Sequence, residues 1–435
     1  MTSLSIGFIG LVSVLILIAI RLPIGVALGG ASILGVAAIR GFDVAAGLVK
    51  TITFEFAASW SLSAIPMFLL MGAVAHNSGI SASLFQAARL WLGGLPGGLA
   101  VAANFACAGF SAASGSSVAT AAAMGRITIP EMINQGYDKG LATGVVAAAG
   151  TLGSLIPPSI LMVIYGIFAE VSISKLLIAG IIPGILTAFV YALMIIVRCK
   201  LNPSLAPRTH HKPDLNEKIR SLGTVWPLLV LVVGIIGGIY GGIVTPTEAG
   251  AFGAFLSFLI AFASGRMNIK VFWNSVSEAV RGTAQIFFVA MGAVLLTKFL
   301  ALSGVPNYLN QSFGALLQDP LYLVLAAAVL YLFLGMFLEP LGLMLLTLPL
   351  LLPLFENVGA DLIWLGVLVI KFLEVGLMTP PVGLNVYVVK SSVGDSVPLG
   401  TIFGGVSWFL LCEAIVITLL IIYPEIALLL PNFMN

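Results

Sequence analysis

The chain has 435 residues, of which 60% are hydrophobic and only 8% charged, and its mean hydropathy is +1.14. A soluble domain cannot clothe its surface with so little charge, so lipid must cover much of this chain. The net charge of +2 gives no basis for nucleic-acid binding, and the scattered Cys107, Cys199 and Cys412 lack the spacing of a metal site or a disulfide framework.

No basic segment precedes the first apolar run, so no cleavable leader is expected. An apolar stretch of roughly 17–25 residues crosses a bilayer as a helix. That rule predicts an all-α polytopic membrane protein with spans over about 4–20, 23–39, 52–75, 141–169, 176–197, 224–241, 247–264, 273–300, 361–389 and 400–423. Two further apolar regions, about 97–128 and 321–355, are interrupted. The first breaks at Ser114-Gly115-Ser116-Ser117 and the second at Glu339-Pro340-Leu341-Gly342. Each reads as a re-entrant hairpin that enters and leaves on one face. Segments 81–92 and 305–318 mix polar and apolar residues and suit helices on the membrane surface, with plain connecting loops as the alternative.

One polar stretch divides the chain, with Arg198, Lys200, Arg208, His210, His211, Lys212, Lys218 and Arg220 between 198 and 220. It predicts a linker over 201–222 between a first half, 1–200, and a second, 223–435, and its basic content assigns it to the cytoplasm. Five crossings on each side then place both termini in the periplasm. The first hairpin falls on the cytoplasmic face and the second on the periplasmic face.

The halves echo each other at a separation of 223 residues: Pro23 with Pro246, Gly30 with Gly253, Pro130 with Pro353, Gly153 with Gly376, and Pro157-Pro158 with Pro380-Pro381. Met71-Gly72-Ala73-Val74 recurs as Met291-Gly292-Ala293-Val294. Five crossings per half is an odd number, so the second half is expected to sit upside down relative to the first. Many secondary transporters have this inverted-repeat architecture, with sites at the midplane where broken helices meet.

Each hairpin tip is followed by a helix that a proline pair must open, at 150–159 and at 376–385. Opened backbone inside the hydrocarbon region is tolerated only when buried in protein or facing a watery cavity. Its freed carbonyls and nearby hydroxyls are hard oxygen ligands suited to Na+, although a proline kink without a ligand has the same local signature. Four serines at the first tip, Ser111, Ser114, Ser116 and Ser117, point to ion and substrate contact, since close helix packing would need only the alanines. Glu339 at the second tip is an intramembrane carboxylate that could carry a proton or could hold tip amides. Lys371 and Glu374, three apart on one helix, are expected to pair with each other and to be mainly structural. No Walker, GxSxG or HExxH pattern occurs, so no enzyme is expected and the energy source should be an ion gradient.

The runs SAASGSSVATAAAMGRITIPEM (111–132), GYDKGLATGVVAAAGTLGSLIPPSILMVIYG (136–166), TPTEAGAFGAF (245–255) and TPPVGLNVYV (379–388) resemble the large membrane subunit of tripartite ATP-independent periplasmic (TRAP) transporters, the DctM-like family. The resemblance covers essentially the whole chain. It implies an elevator-type transporter of the bacterial inner membrane that imports an organic acid with Na+ as coupling ion. It also implies two partners, a periplasmic substrate-binding protein and a small four-helix membrane subunit. With a first span starting at residue 4, that subunit is expected as a separate chain. Carried onto this sequence, the ion sites fall on Ser114, Gly115, Ser116 and Ser117 with Gly150, Gly153 and Ser154, and on Glu339 and Gly342 with Thr379, Pro380, Gly383 and Asn385. The inner faces of the tips and breaks, at Ser114, Ser116, Pro158, Ser159, Pro340 and Pro381, would hold the substrate. Sialic acid, C4-dicarboxylates and other carboxylates all suit the family.

Three rivals stand beside this reading. A self-sufficient carboxylate symporter would share the architecture and needs no binding protein. A channel needs a continuous polar path, whereas the polar tips form two isolated clusters flanked by Leu, Ile and Val. A membrane enzyme lacks its catalytic set.

Overall fold

A computed structural model describes residues 2–207, 214–313 and 319–434, and no strand occurs among them. The Thr2 hydroxyl accepts from the Ser5 amide at 3.2 Å and starts α1 (Ser3–Ala19). Helix α2 (Ile24–Arg40) stops at Gly41, whose φ of +93° suits glycine alone. The straight span expected over 52–75 is corrected to a bent pair. Here α3 (Phe42–Ala57) meets α4 (Ala64–Asn77) at 55° through a 3-10 turn at Trp60–Ser63.

After α5 (Ile80–Leu92) comes the first hairpin, α6 (Gly98–Ser114) and α7 (Ser117–Asn134). Gly115, at φ +61°, ends one arm in the left-handed region, and the Ser116 hydroxyl caps the other through the Ala119 amide. Asp138 caps α8 (Lys139–Gly150) through the Leu141 amide at 2.8 Å. A 3-10 turn at Thr151–Ser154 and the proline pair then separate α8 from α9 (Ile160–Phe168). The half closes with α10 (Ile173–Ala179) and α11 (Ile181–Leu201).

The second half runs through α12 (Leu215–Tyr240), α13 (Pro246–Ala263), α14 (Ile269–Ser303) and the short α15 (Val305–Phe313). Its hairpin is α16 (Pro320–Gly335) and α17 (Pro340–Asn357), with Pro340 in the first turn where a missing amide costs nothing. Its broken helix is α18 (Leu362–Gly376) and α19 (Leu384–Val393), followed by α20 (Leu399–Ile422) and α21 (Glu425–Asn432). Hairpin followed by broken helix thus occurs in both halves, but α14 is unbroken where α3 and α4 are bent, and the short closing helix precedes the long one in the first half and follows it in the second. Asp214 caps α12 at 2.7 Å, so this helix starts inside the stretch expected as linker. Arg208, His210, His211 and Lys212 lie outside the described residues, as does the end of the surface helix expected over 305–318.

Among the described residues, six helical stretches are long and apolar enough to cross a membrane: Ile173–Leu201, α12, α13, α14, α17 and α20. Helices α1 and α2 have 17 residues each and rise about 26 Å, just short of a full hydrocarbon core. Of the expected spans, 141–169 and 361–389 are present as helices opened in their middles.

Glycines set the helix contacts, as is usual between membrane helices. A β-carbon on Gly292 of α14 would lie 2.8 Å from the Gly25 oxygen of α2. One on Gly253 of α13 would meet the Met71 sulfur of α4 at 2.7 Å. One on Gly144 of α8 would lie 2.6 Å from the Gly405 carbonyl carbon of α20. The run 245–255 encodes a helix start: Thr245 and Glu248 exchange side-chain and backbone bonds in a capping box, with Pro246 in the first turn.

Candidate ion and substrate site

The first hairpin tip and the first break are packed backbone to backbone. A β-carbon on Gly115 would lie 2.6 Å from the Pro158 oxygen, and one on Gly150 would lie 2.9 Å from the Ala121 β-carbon. Buried hydroxyls fill the seam. Ser114 Oγ lies 2.7 Å from Thr120 Oγ1, and Ser117 Oγ lies 2.9 Å from Ser154 Oγ. Ser159 donates to the Ser154 carbonyl at 2.5 Å and caps α9 through the Met162 amide at 3.2 Å. All the first-half candidates are therefore brought together: Ser114, Gly115, Ser116, Ser117, Gly150, Gly153, Ser154, Pro158 and Ser159.

The second set is gathered only in part. Glu339 and Pro340 open α17 at the tip, and Glu339 has no capping bond to its own helix. Gly342 turns away from the break: a β-carbon there would run into the Ile24 side chain of α2. The Thr379 hydroxyl, in the break, is turned back onto the last turn of α18, donating to the Val375 carbonyl at 2.6 Å. Gly383, at φ +59°, folds back so that an added β-carbon would lie 3.3 Å from the Thr379 oxygen, while Pro380 and Pro381 are exposed. Asn385 is fully buried; its Nδ2 donates to the Ala147 carbonyl of α8 at 3.3 Å, and its Oδ1 has no partner.

A cavity of about 360 Å³ lies between the two tips. Gly115, Ser116 and Ser117 face it from one tip, Glu339 and Pro340 from the other, and Gln285 from α14. Thr379, Pro380, Pro381 and Gly383 are absent from its wall. It continues into a polar vestibule of about 650 Å³, with Ser116, Gly282 and Gln285 shared between the two. The vestibule is lined by Asn77 of α4 and by Asn274, Ser277, Glu278 and Arg281 of α14. Asn77 Nδ2 bridges the two helices, donating to the Ala73 carbonyl at 2.9 Å and to Glu278 Oε2 at 3.0 Å.

Residues 11–426 match the model of one family, described as the DctM component of tripartite ATP-independent periplasmic transporters. The chain belongs to this family. The DctM family is a transport family, and with the spans above it makes this a multi-pass membrane protein. Among named relatives, the chain is 37% identical over 386 residues to the C4-dicarboxylate TRAP transporter large permease protein DctM of Pseudomonas aeruginosa, covering 88% of each. It is 35% identical over 375 residues to the sialic acid TRAP transporter large permease protein SiaM of Vibrio cholerae, covering 86% of this chain and 87% of that one. Among solved structures, the Alcanivorax borkumensis YdaH transporter, described as having an unusual topology, superposes with a TM-score of 0.61 over 88% of both chains. At 15% identity that likeness concerns the fold alone.

Two features of this DctM-family chain escape sequence reasoning. Lys371 and Glu374 do not pair with each other. Lys371 forms an ion pair with Glu413 of α20 and donates to Thr187 Oγ1 at 3.2 Å, while Glu374 accepts from Ser117 Oγ at 2.6 Å and so joins the first tip. The second feature is the polar face of α14. Asn274, Glu278, Arg281 and Gln285 follow one another at steps of four, three and four, the spacing of one helix face. That spacing was the available signal, but the high mean hydropathy of 273–300 concealed it.

Proposed function

We propose that this chain is the translocation subunit of a Na+-coupled, binding-protein-dependent secondary transporter that imports an organic acid across the bacterial inner membrane. The observation that carries the reading is the cavity between the tips, walled by hydroxyls of the first half at Ser116, Ser117 and Ser154 and by Glu339, Glu374 and Gln285 of the second. Its residues suit the task. Ser117, Ser154 and the Thr151 carbonyl, the last 3.4 Å from Ser117 Oγ, offer hard oxygens from an opened turn. The unpartnered, buried Asn385 Oδ1 offers another at the second break. Bound Na+ would couple the substrate to the inward Na+ gradient, which supplies the driving energy. The Arg281 guanidinium in the vestibule matches a carboxylate with two parallel hydrogen bonds, and Gln285 can orient the rest of the molecule. A C4-dicarboxylate or a sialic acid fits this chemistry.

The recurring hairpin and broken helix support two inverted halves that shift one tip region against a fixed frame, in the manner of an elevator. Helix ends and loops are tied together here: Arg89 of α5 bonds Glu131 of α7 at 2.7 Å, Trp91 Nε1 of α5 donates to the Lys218 carbonyl of α12 at 3.2 Å, and Arg266 donates to the Gly79 carbonyl at 3.1 Å. This basic end is the cytoplasmic one in our reading, which leaves both termini in the periplasm. A periplasmic binding protein would deliver the substrate, and a small four-helix subunit would cover part of the apolar exterior.

The test is reconstitution. The chain should be placed in liposomes with a small subunit and a binding protein from one gene cluster, and uptake of a labelled C4-dicarboxylate and of a labelled sialic acid followed. Uptake that requires an inward Na+ gradient and both partners is expected. Uptake driven equally by a pH gradient, or completed without either partner, would overturn the reading.

A further inference from the structure

Three charged side chains are buried to 2% exposure or less among the described residues: Lys371 and Glu374 on α18 and Glu413 on α20. Their pairing is unequal. Lys371 is engaged by Glu413, which also accepts from the Tyr191 hydroxyl at 2.5 Å. Glu374 has no protein cation bonded to it. One oxygen, Oε2, accepts from Ser117 Oγ, and the other, Oε1, is buried without a partner. With Glu374 ionised, two carboxylates and one ammonium would leave this interior with one negative charge in excess, which a proton or a bound cation must offset. A buried charge persists only when something compensates it.

The surroundings indicate what does so. Glu374, Ser117 and Ser154 all face the cavity between the tips. Ser117 Oγ is 2.9 Å from Ser154 Oγ and 3.4 Å from the Thr151 carbonyl. A carboxylate with a free oxygen, two hydroxyls and a carbonyl form a hard, anionic oxygen cluster, the donor set of an alkali or alkaline-earth cation and not of a soft metal. The cluster also joins the two halves, because Glu374 comes from the second broken helix while its neighbours come from the first tip and first break.

We infer that Glu374 is the charged ligand of the cation site at the first tip, and that its neutralisation by Na+ is what admits an organic anion to the cavity. This rests on the Na+-coupled reading above. An uncompensated carboxylate in the cavity wall repels a carboxylate substrate; with Na+ on Glu374 its share of that repulsion is removed, leaving Glu339 at the opposite tip. The order of binding, cation before anion, follows from electrostatics alone.

The experiment measures binding on the purified full chain in detergent, apart from transport. Sodium-22 binding and the Na+-dependent rise in melting temperature give the cation affinity, and binding of a labelled organic acid is measured with and without Na+. Wild type should bind the acid only with Na+ present. Glu374→Gln should lose at least tenfold in Na+ affinity yet need far less Na+ than wild type to bind the acid, because of the two carboxylates in the wall, Glu339 and Glu374, the one beside the first tip no longer carries a charge. Glu374→Gln with wild-type Na+ affinity overturns the inference and leaves the Na+ reading intact. No Na+ response in the wild type overturns both. Should Glu374→Gln fail to fold, Glu374→Asp carries the test: a withdrawn carboxylate should lower Na+ affinity while keeping the acid's need for Na+, and unchanged affinity counts against the inference.

Discussion

A methyl group on Gly153 would sit 2.7 Å from the backbone oxygen of Ser116. The break and the tip are therefore in van der Waals contact along their main chains, with no room for a side chain. Gly153→Ala must push them apart, at a cost of about 1–3 kcal/mol for overpacking. The Na+ concentration for half-maximal uptake should rise roughly tenfold, whereas Gly400→Ala, which meets nothing within 4 Å, should leave it unchanged. Equal values for the two variants would show that the tip–break seam plays no part in ion binding.

Ser117→Ala should weaken Na+ activation more than Thr379→Ala does. Ser117 Oγ touches both Ser154 and Glu374, while the Thr379 hydroxyl is spent on the Val375 carbonyl of α18. Losing a buried polar partner costs about 1–3 kcal/mol, or roughly ten- to a hundredfold in affinity. The Na+ dependence of uptake, measured beside melting temperature, decides this, and the reverse ranking would move the site to the second break.

Arg281→Ala should raise the KM for the organic acid by about ten- to a hundredfold, the scale of one charge-assisted hydrogen bond, and leave half-saturating Na+ unchanged. Arg281→Lys should recover only part of the loss, because an ammonium cannot form the two parallel bonds. An unaltered KM in both would reduce Arg281 to a solvated residue of α14.

Lys371→Met should destabilise the protein by about 3–5 kcal/mol, since it strands the buried Glu413 without its cation. Adding Glu413→Gln should restore most of the melting temperature. If the single variant melts like wild type, the ion pair contributes nothing to the fold.

The orientation is open to a labelling test. Asn216 is exposed at the start of α12, and the three natural cysteines are buried, so Asn216→Cys should be the main accessible thiol. It should resist a membrane-impermeant maleimide in intact spheroplasts and react after lysis. Reaction before lysis would invert the assignment.

The local grammar of the chain was readable from sequence. Gly115 and Pro340 mark the hairpin turns because one provides a positive φ and the other lacks an amide hydrogen that a first helical turn does not need. The proline pairs announce their own helix openings, and Thr245 with Glu248 announces the start of α13. What escaped was non-local or masked. The 55° bend between α3 and α4 occurs at 58–59, where no proline stands. Glu413 is 42 positions from Lys371, so the nearer Glu374 looked like its partner until the fold carried Glu374 to Ser117. Gly342 matched the expected ion site by position in the chain, yet its open side is filled by Ile24.

Helix α14 has 35 residues and rises about 52 Å, against a hydrocarbon core of about 30 Å. Tilt within the usual range of about 0–40° cannot absorb that excess. The polar face from Asn274 to Gln285 lines the vestibule that reaches the first tip, giving water a route inward. The electric field across the bilayer is then compressed into the remaining apolar layer beyond the cavity. In the Na+-coupled cycle proposed above, a cation leaving through the vestibule would cross little of the membrane voltage, and one arriving from the opposite face would cross most of it, gaining up to about 2.3 kcal/mol per 100 mV. The voltage sensitivity of that proposed cycle would therefore reside in loading and not in release.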